Sequence, residues 1–282
     1  GEMRSDNTTY KYNPQDRGTI EPEFIADFTD DANNGINGNK YVTNYDIIAR
    51  SNQVLDAIDA IDFDSSVKNN IKGQAYFLRA LAYFDLVQYY GSVPLHLKPA
   101  KTLEETALPL SDVETIYNQI IADATEATSL LPDKATQEPG RATSGAAKTL
   151  LGNLYIVQER WAEAEAILKD VTGYSLIGNY AEIFNPATKN NMESVFEIQY
   201  KEGTEGFASN FFYTFLVQPI TAAEISAVTG IAEVARTIEG YNIPTPDIIA
   251  AYGAGDLRKE ASIGHIMAGG VNYPYIRKYS HP

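Results

Sequence analysis

The stretch from Gly73 to Leu95 restricts the fold more than any other part of the sequence, because it predicts one long, aromatic-rich helix with a defined end. Gly91 is typical of a helix C-terminus, and Pro94 cannot continue a helix. Apolar residues recur at steps of three and four, so we expect them to form one buried stripe. The stripe comprises Val67, Ile71, Ala75, Leu78, Ala82, Leu86 and Tyr89.

The same periodicity predicts further helices on both sides of this one. A helix fits Lys40 to Ile61, and another begins near Ser111 and ends at Pro132. The expected inward residues are Ile47, Ile48, Val54, Leu55, Ile58 and Ile61 in the first of these, and Val113, Ile116, Ile120, Ala124, Ala127 and Leu131 in the second.

A helix pair follows, from about Thr143 to Gln158 and from Trp161 to Val171. Small and aromatic residues recur here at the spacing of a tetratricopeptide repeat, in which small residues let two antiparallel helices approach closely. They are Leu151, Gly152, Tyr155, Ala164 and Leu168. We expect the Trp161 indole to close the turn between the two helices.

The ends of the chain contain less regular helix. Residues 1–39 indicate loops and turns, and a loop containing Phe207, Phe211 and Phe215 follows a strand-like segment at 194–200. A short helix is expected near 245–252. The predicted fold class is therefore mostly α, with tetratricopeptide-like helix pairs and an irregular, loop-rich portion that contains short strands.

Composition excludes several classes of protein. The formal charge of −15, from 22 basic and 37 acidic residues, argues against a nucleic-acid partner and against a polybasic membrane surface. Cysteine is absent, which excludes disulfides and thiolate zinc sites. The sequence shows no apolar run long enough to span a bilayer and no signal peptide, and we expect it to be a mature or truncated form.

No known catalytic motif stands out in the sequence. The three histidines, His96, His265 and His281, are far apart, and no cofactor is predicted. The run from Asp30 to Asn39 is rich in oxygen ligands but does not fit an EF-hand; an irregular calcium site and a solvated turn remain, and the turn is favoured. We expect Arg79 to pair with an acid on a neighbouring helix.

The long helix closely resembles the signature helix of the SusD/RagB family, surface lipoproteins of Bacteroidetes that capture nutrients. Gln74 stands where the family often has Glu. The stretches Leu108–Ser111 and Gly140–Thr143 resemble later family segments, so the likeness covers nearly the whole chain and is weakest at the two ends. The matching residues of the helix are Gly73, Ala75, Phe77, Leu78, Arg79, Ala80, Tyr83, Phe84, Leu86, Val87, Gly91, Val93, Pro94 and Leu95.

This resemblance implies a single SusD-like domain over 1–282, with a helical repeat core at about 40–172 and a loop-rich portion at about 173–282. It implies a surface protein that captures oligosaccharides for a TonB-dependent, SusC-like transporter and does no covalent chemistry. Such a protein faces outward from the outer membrane, held by a lipid anchor that this chain lacks. The alternatives are a peptide-binding RagB-like member, a tetratricopeptide scaffold for protein partners and a glycoside-processing enzyme.

The candidate ligand site follows from sugar chemistry, which calls for exposed aromatic faces beside amide, carboxylate or guanidinium groups. The residues Arg4, Asp6, Asn7, Tyr41 and Asn44 fit this description. Starch-binding family members resemble this arrangement, with Tyr41 here in place of the usual Trp. For Tyr41, packing at the helix end is the competing interpretation. A second candidate is the Phe207–Phe215 segment with Asn210, for which core packing is favoured.

Overall fold

The structure is a computed structural model that describes residues 2–10, 20–201, 205–230 and 238–280. These residues form ten α-helices and six short strands. The helices are α1 (Glu21–Ala26), α2 (Gly35–Ala57), α3 (Ser65–Tyr90), α4 (Val113–Leu130), α5 (Ser144–Val157), α6 (Trp161–Lys169), α7 (Phe211–Thr214), α8 (Ala222–Thr229), α9 (Pro246–Ala251) and α10 (Arg258–Ser262). The strands are β1 (Thr8–Thr9), β2 (Val93–Pro94), β3 (Leu110–Ser111), β4 (Ile243–Pro244), β5 (Ile263–Ala268) and β6 (Val271–Ile276).

The chain divides into two compact units. The helical unit comprises Gly38–Leu176 and Met192–Ile198. The loop-rich unit comprises the described residues of 2–37, 177–191 and 199–280. Within the described residues, no helix combines the length and the apolar character needed to cross a bilayer.

The helical unit confirms the predicted helices, and each helix from α3 to α6 packs on the next along the chain. Asp64 caps α3 by accepting hydrogen bonds from the backbone N–H groups of Ser66 and Val67, which would otherwise lack partners. One continuous core lies between these helices. Its most deeply buried large side chains include Tyr83, Leu86, Ile116, Ile120 and Leu154.

The predicted apolar stripe of α3 is only partly correct. Ala75, Ala82 and Leu86 are buried, but Val67 and Tyr89 are about half exposed. Both lie in the end turns of the helix, where the apolar period continues although core contacts do not. Three more residues that were predicted to face inward are exposed: Ile61, Leu78 and Val113. Ile61 and Val113 lie at helix ends, whereas Leu78 lies on the flank of α3.

Arg79 confirms the predicted interhelical ion pair. Its guanidinium makes a bidentate contact with the Asp123 carboxylate of α4, with both N–O distances at 2.7 Å. A third nitrogen donates to Oδ1 of Asn52 on α2, also at 2.7 Å. All three residues are at most 5% exposed. A buried polar network therefore joins α2, α3 and α4.

The α5–α6 pair confirms the close helix approach expected of a tetratricopeptide-like repeat. A Cβ at Gly152 would lie 2.5 Å from a methyl carbon of Leu168, so the glycine leaves room for this side chain at the contact between the two helices. The prediction for Trp161 is wrong: its side chain is 62% exposed and does not close the turn. As the first residue of α6, it precedes the turns that face α5.

Helix α2 begins at Gly35, earlier than the predicted Lys40, because Asn34 accepts hydrogen bonds from the backbone N–H groups of Ile36 and Asn37. Asp30 accepts from the side chains of Arg4 and Asn37. The polar run from Asp30 is therefore used in capping a helix. No cluster of acidic or histidine side chains suited to a metal ion occurs among the described residues.

The loop-rich unit contains a hairpin that sequence analysis missed. Strands β5 and β6 pair from Ile263↔Ile276 to Ala268↔Val271, and Gly269 and Gly270 form the connection. Both glycines have positive φ, 58° and 80°, as the favoured two-residue turn requires. Inward hairpin residues pack on the side chains of α7 and α8, in a small cluster of Phe212, Leu216, Ile225, Ile266 and Tyr275.

The strand predicted at 194–200 is wrong, since this segment has no ladder partner in the described structure. Its Phe196 instead packs against Phe77 of α3, with ring centroids 5.1 Å apart. The short helix expected near 245–252 is confirmed as α9. Strands β1 and β4 form a minimal ladder with the register Thr8↔Pro244 and Thr9↔Ile243.

Candidate functional site

Four tyrosines meet where α2 begins and α3 ends, and we call Tyr41, Tyr45, Tyr89 and Tyr90 the tyrosine cluster. Tyr41 lies 4.8 Å from Tyr45 and 5.2 Å from Tyr90 between ring centroids, the latter edge to face. The ring of Tyr41 is half-buried, whereas Tyr89 is 52% exposed. The cluster therefore presents a solvent-facing aromatic surface backed by packed rings.

Polar groups border this surface. Lys40 makes an ion pair with Asp85 at 2.6 Å, and its Nζ lies 4.3 Å from the centroid of the Tyr89 ring. Asn44 is 7% exposed and donates its amide N–H groups to the Lys40 carbonyl at 3.0 Å and to the Asp85 carboxylate at 2.8 Å. The Asn44 amide thus fixes the orientation of Asp85.

Two tyrosine hydroxyls, one within the tyrosine cluster and one beside it, form hydrogen bonds with the backbone. Tyr45 donates to the Pro94 carbonyl at 2.7 Å. The Tyr83 hydroxyl donates to the His96 carbonyl and accepts from the His96 N–H. Burial raises the pKa of both Tyr45 and Tyr83 above the ordinary value, because a phenolate would be desolvated there. The supporting rings therefore stay neutral hydrogen-bond donors.

Arg4 and Asp6 line a cavity of about 190 Å³ in the loop-rich unit, together with Asp27 and Phe28. The Arg4 guanidinium donates to Asp30 and to the Ile25 carbonyl and lies 5.2 Å from the Phe28 ring. That ring is 67% exposed. The cavity thus combines an aromatic face with a cation and carboxylates.

Asp6 and Asn7 are held by their backbone. The Asp6 carbonyl accepts from the Thr245 hydroxyl at 2.8 Å, and the Asn7 carbonyl accepts from the Thr245 N–H at 3.0 Å. Both side chains are exposed. Of the five predicted site residues, the structure groups Tyr41 with Asn44 in the helical unit and places the other three in the loop-rich unit. Their binding role stays a prediction.

The Phe207–Phe215 segment contributes to a second exposed aromatic surface. Phe211 and Phe215 stack with ring centroids 5.7 Å apart and an interplanar angle of 9°, and Tyr279 lies 5.5 Å from each. Tyr200 lies 5.7 Å from Phe211. We call these residues the four-ring cluster. Core packing, the favoured expectation for this segment, holds for Phe212, but Phe207 and Phe211 are exposed.

Comparison with known proteins assigns the family. A SusD-like family model, described as "Starch-binding associating with outer membrane", matches residues 3–156, which is more than half of the chain. The chain belongs to the SusD-like family. A SusD-like protein P25 of Formosa agariphila is 24% identical over 83% of this chain and 50% of that protein. A SusD-like protein of Bacteroides ovatus is 27% identical over 59% of this chain and 33% of that protein.

Solved structures agree on the SusD-like fold. A laminarin-binding SusD-like protein superposes with a TM-score of 0.79 at 23% identity, covering 100% of this chain and 66% of that chain. A surface glycan-binding protein A of Bacteroides thetaiotaomicron, in complex with laminarihexaose, gives 0.79 at 16% identity, with 99% and 64% covered. This chain spans about half the length of the first curated relative.

Sequence analysis of this SusD-like chain missed three candidate residues. It assigned Tyr89 to the buried stripe, although Tyr89 and Tyr90 are adjacent on a helix, point about 100° apart and cannot share one face. Tyr200 and Tyr279 gave no signal, because they are far apart in sequence and meet only through Phe211. Only its place in the last turn of the helix, two residues before Gly91, indicated that Tyr89 is exposed.

Proposed function

We propose that this chain binds oligosaccharides at the outer cell surface and delivers them to a TonB-dependent, SusC-like transporter. In this proposal the intact protein is lipid-anchored to the outer membrane, and binding involves no covalent chemistry. Sugar rings stack on the tyrosine cluster, and their hydroxyls exchange hydrogen bonds with the polar groups around it. Arg4, Asp6 and Asn7 are proposed to bind sugar hydroxyls within the loop-rich unit.

The observation that carries this proposal is the exposed ring of Tyr89 beside the Lys40–Asp85 ion pair. A pyranose has apolar C–H faces and a rim of hydroxyls, so it needs an aromatic face and fixed donors and acceptors within a few ångströms. Asn44 holds the carboxylate in place before the ligand arrives, which reduces the entropy lost on binding. Membership of the SusD-like family supports the same ligand class.

Calorimetric titration tests the proposal with laminarihexaose, a xyloglucan oligosaccharide and short peptides as ligands. We expect an oligosaccharide to bind, and we expect Tyr41→Ala and Tyr89→Ala each to weaken it by about tenfold. Trp161→Ala is the control, because it removes an exposed aromatic of the helical unit that lies outside the tyrosine cluster. The affinity of this control variant for the oligosaccharide should stay within about twofold of that of the unchanged chain.

Each other outcome selects a different function. Binding of peptides alone would favour the RagB-like alternative, and binding of helical peptides alone would favour a tetratricopeptide scaffold. Release of shortened sugars would identify an enzyme. Glycan affinity that survives both tyrosine variants would remove the tyrosine cluster from the proposal. Co-purification of the full-length, lipid-anchored protein with a TonB-dependent transporter tests the partner separately.

A further inference from the structure

The four-ring cluster has the properties of a ligand platform and is separate from the residues of the proposed glycan site. Tyr200, Phe211 and Tyr279 are each between 37% and 42% exposed, and each contacts at least one other ring. Phe212, in contrast, is 6% exposed and belongs to the hydrophobic core beside the cluster. The rings are therefore supported by a core but leave aromatic faces in solvent.

One cationic side chain contacts this cluster, and two more belong to residues close to it in sequence. Lys189 donates its ammonium to the Tyr200 carbonyl at 2.6 Å, and Lys201 follows Tyr200 directly. Arg277 precedes Tyr279 by two residues, within one 3-10 turn. All three cations are exposed. The cluster therefore has one cation, Lys189, in contact with one of its residues and two exposed cations within two residues of it in sequence.

The existing partners of these cations show which of the cations are available to an anionic ligand. Lys201 makes an exposed ion pair with Glu205 at 2.7 Å. Lys189 and Arg277 have backbone carbonyl acceptors, on Tyr200 and Glu260, and no carboxylate within 4.0 Å among the described residues. Lys189 and Arg277 are therefore exposed cations that an anionic ligand can reach without displacing a carboxylate of the described residues.

We infer that the four-ring cluster is a second glycan subsite that takes an anionic sugar residue. The pyranose ring stacks on the exposed aromatic faces, and its carboxylate or sulfate pairs with Lys189 and Arg277. Charge complementarity selects this ligand, because a neutral sugar would use the rings but gain nothing from the cations. This inference rests on the proposed glycan-binding function and extends it to a further class of sugar.

Calorimetric titration of the chain distinguishes the two subsites. The ligands are laminarihexaose as the neutral probe, an oligogalacturonide as the carboxylated probe and sulfated laminarihexaose as the sulfated probe. We expect Lys189→Gln/Arg277→Gln to weaken at least one anionic probe by about fivefold and to leave the neutral probe unchanged. Arg160→Gln/Lys169→Gln is the matched control, since it removes the same two charges from exposed positions of the helical unit.

A second variant tests the rings independently of charge. Phe211→Ala opens the stacked pair and should weaken the anionic probe by about tenfold, while Phe207→Ala, which removes an exposed ring outside the cluster, should not. Circular dichroism confirms that each variant is folded. If Phe211→Ala does not fold, the charge variants, which touch only exposed side chains, decide the question alone.

The remaining outcomes separate this inference from the proposed function. Equal weakening by both double charge variants would overturn the inference, because the effect would then be general electrostatics. Neutral binding that depends on Tyr41, without any anionic binding, would overturn the inference alone. Binding of an acidic peptide but no acidic sugar would overturn it too. Absence of all glycan binding would overturn the inference and the proposed function together.

Discussion

The two units of this chain differ in the charged groups that they bury and in the size of their hydrophobic cores. The helical unit buries Arg79 and Asp123 in a satisfied network inside one continuous core. The loop-rich unit has two small hydrophobic clusters and leaves Phe28, Phe207 and Phe211 in solvent. The helical unit therefore has a buried ion pair and one large core while it exposes Tyr89, whereas the loop-rich unit has smaller cores and exposes these phenylalanines.

This difference follows from how each unit forms its backbone hydrogen bonds. A helix such as α3 satisfies its own backbone locally and needs neighbours only along one face. The strands of the loop-rich unit are short, and the ladder that pairs Thr8 with Pro244 joins residues from opposite ends of the sequence. Long-range pairing of this kind costs chain entropy and stabilises little structure per residue.

The largest expected effect is the loss of the buried ion pair. We expect Arg79→Ala to lower the free energy of unfolding by about 3–5 kcal/mol, because it leaves the Asp123 carboxylate desolvated and without its partner. Urea denaturation followed by circular dichroism measures this loss.

The matched control is Lys169→Ala, which removes an exposed i,i+4 pair with Glu165 from the same unit. It should change the free energy of unfolding by less than about 0.5 kcal/mol. If the two variants lost similar stability, the buried network would not hold the helical unit together, and the contrast between the units would lose its main support.

The helical unit could be predicted from sequence because its signals are local. The period of apolar residues located α2 to α6, and in the structure Asp64 and Thr143 cap two of these helices. The partner of Arg79 was also expected as an acid on a neighbouring helix. The errors fall at helix ends, where Val67 and Tyr89 continue the period into solvent.

The loop-rich unit was harder to predict because its contacts join distant segments. The Gly269–Gly270 pair between two alternating segments is the one local signal for the hairpin. Nothing local brings Tyr200 to Phe211 and Tyr279. Of the candidate site, sugar chemistry and the family resemblance indicated Tyr41, but the sequence analysis misplaced Tyr89 and indicated only Phe211 and Phe215 of the four-ring cluster.

Alanine substitutions at two glycines, one in each unit, compare how tightly the two units are packed, and their effects are the next largest. A Cβ at Gly264 of β5 would overlap the ring of Tyr275 on β6, which is 3% exposed and cannot move aside. We expect Gly264→Ala to cost about 1–3 kcal/mol by overpacking. At Gly152 the obstacle is the flexible end of a half-buried Leu168, and alanine gains up to about 1 kcal/mol of helix propensity.

Thermal denaturation of both glycine variants measures the difference. Gly152→Ala should stay within about 1 kcal/mol of the unchanged chain. A larger loss at Gly152 than at Gly264 would show that the α5–α6 contact is the more rigid of the two, and would reverse the assignment of tight packing to the hairpin.

Alkaline pH gives a smaller effect that is specific to the helical unit. Because the folded-state pKa of Tyr45 and Tyr83 is raised, the unfolded chain ionises these groups first, and stability is lost as the pH rises above about 10. Each tyrosine should lower the free energy of unfolding by up to about 1.4 kcal/mol per pH unit in that range.

Urea denaturation at several pH values tests this dependence, with tyrosinate absorbance as a second readout. Tyr45→Phe should reduce the alkaline slope, because only Tyr83 of the pair then remains. Tyr279→Phe is the control, since Tyr279 is 42% exposed. An unchanged slope in the Tyr45 variant would mean that other groups cause the alkaline loss.

The smallest expected effect concerns Ser262, whose buried hydroxyl has no hydrogen-bond partner among the described residues. An unpartnered hydroxyl is desolvated without compensation, so Ser262→Ala should leave stability unchanged or raise it by up to about 1 kcal/mol. Thr143→Ala is the contrasting variant, because the Thr143 hydroxyl is equally buried but accepts a hydrogen bond from the Ala146 N–H. Its loss should cost about 1 kcal/mol.

Thermal denaturation compares the stability of the two variants. Destabilisation by Ser262→Ala as large as that by Thr143→Ala would mean that the Ser262 hydroxyl has a solvent partner. The loop-rich unit would then be more completely hydrogen-bonded than its direct contacts indicate, and closer to the helical unit in that respect.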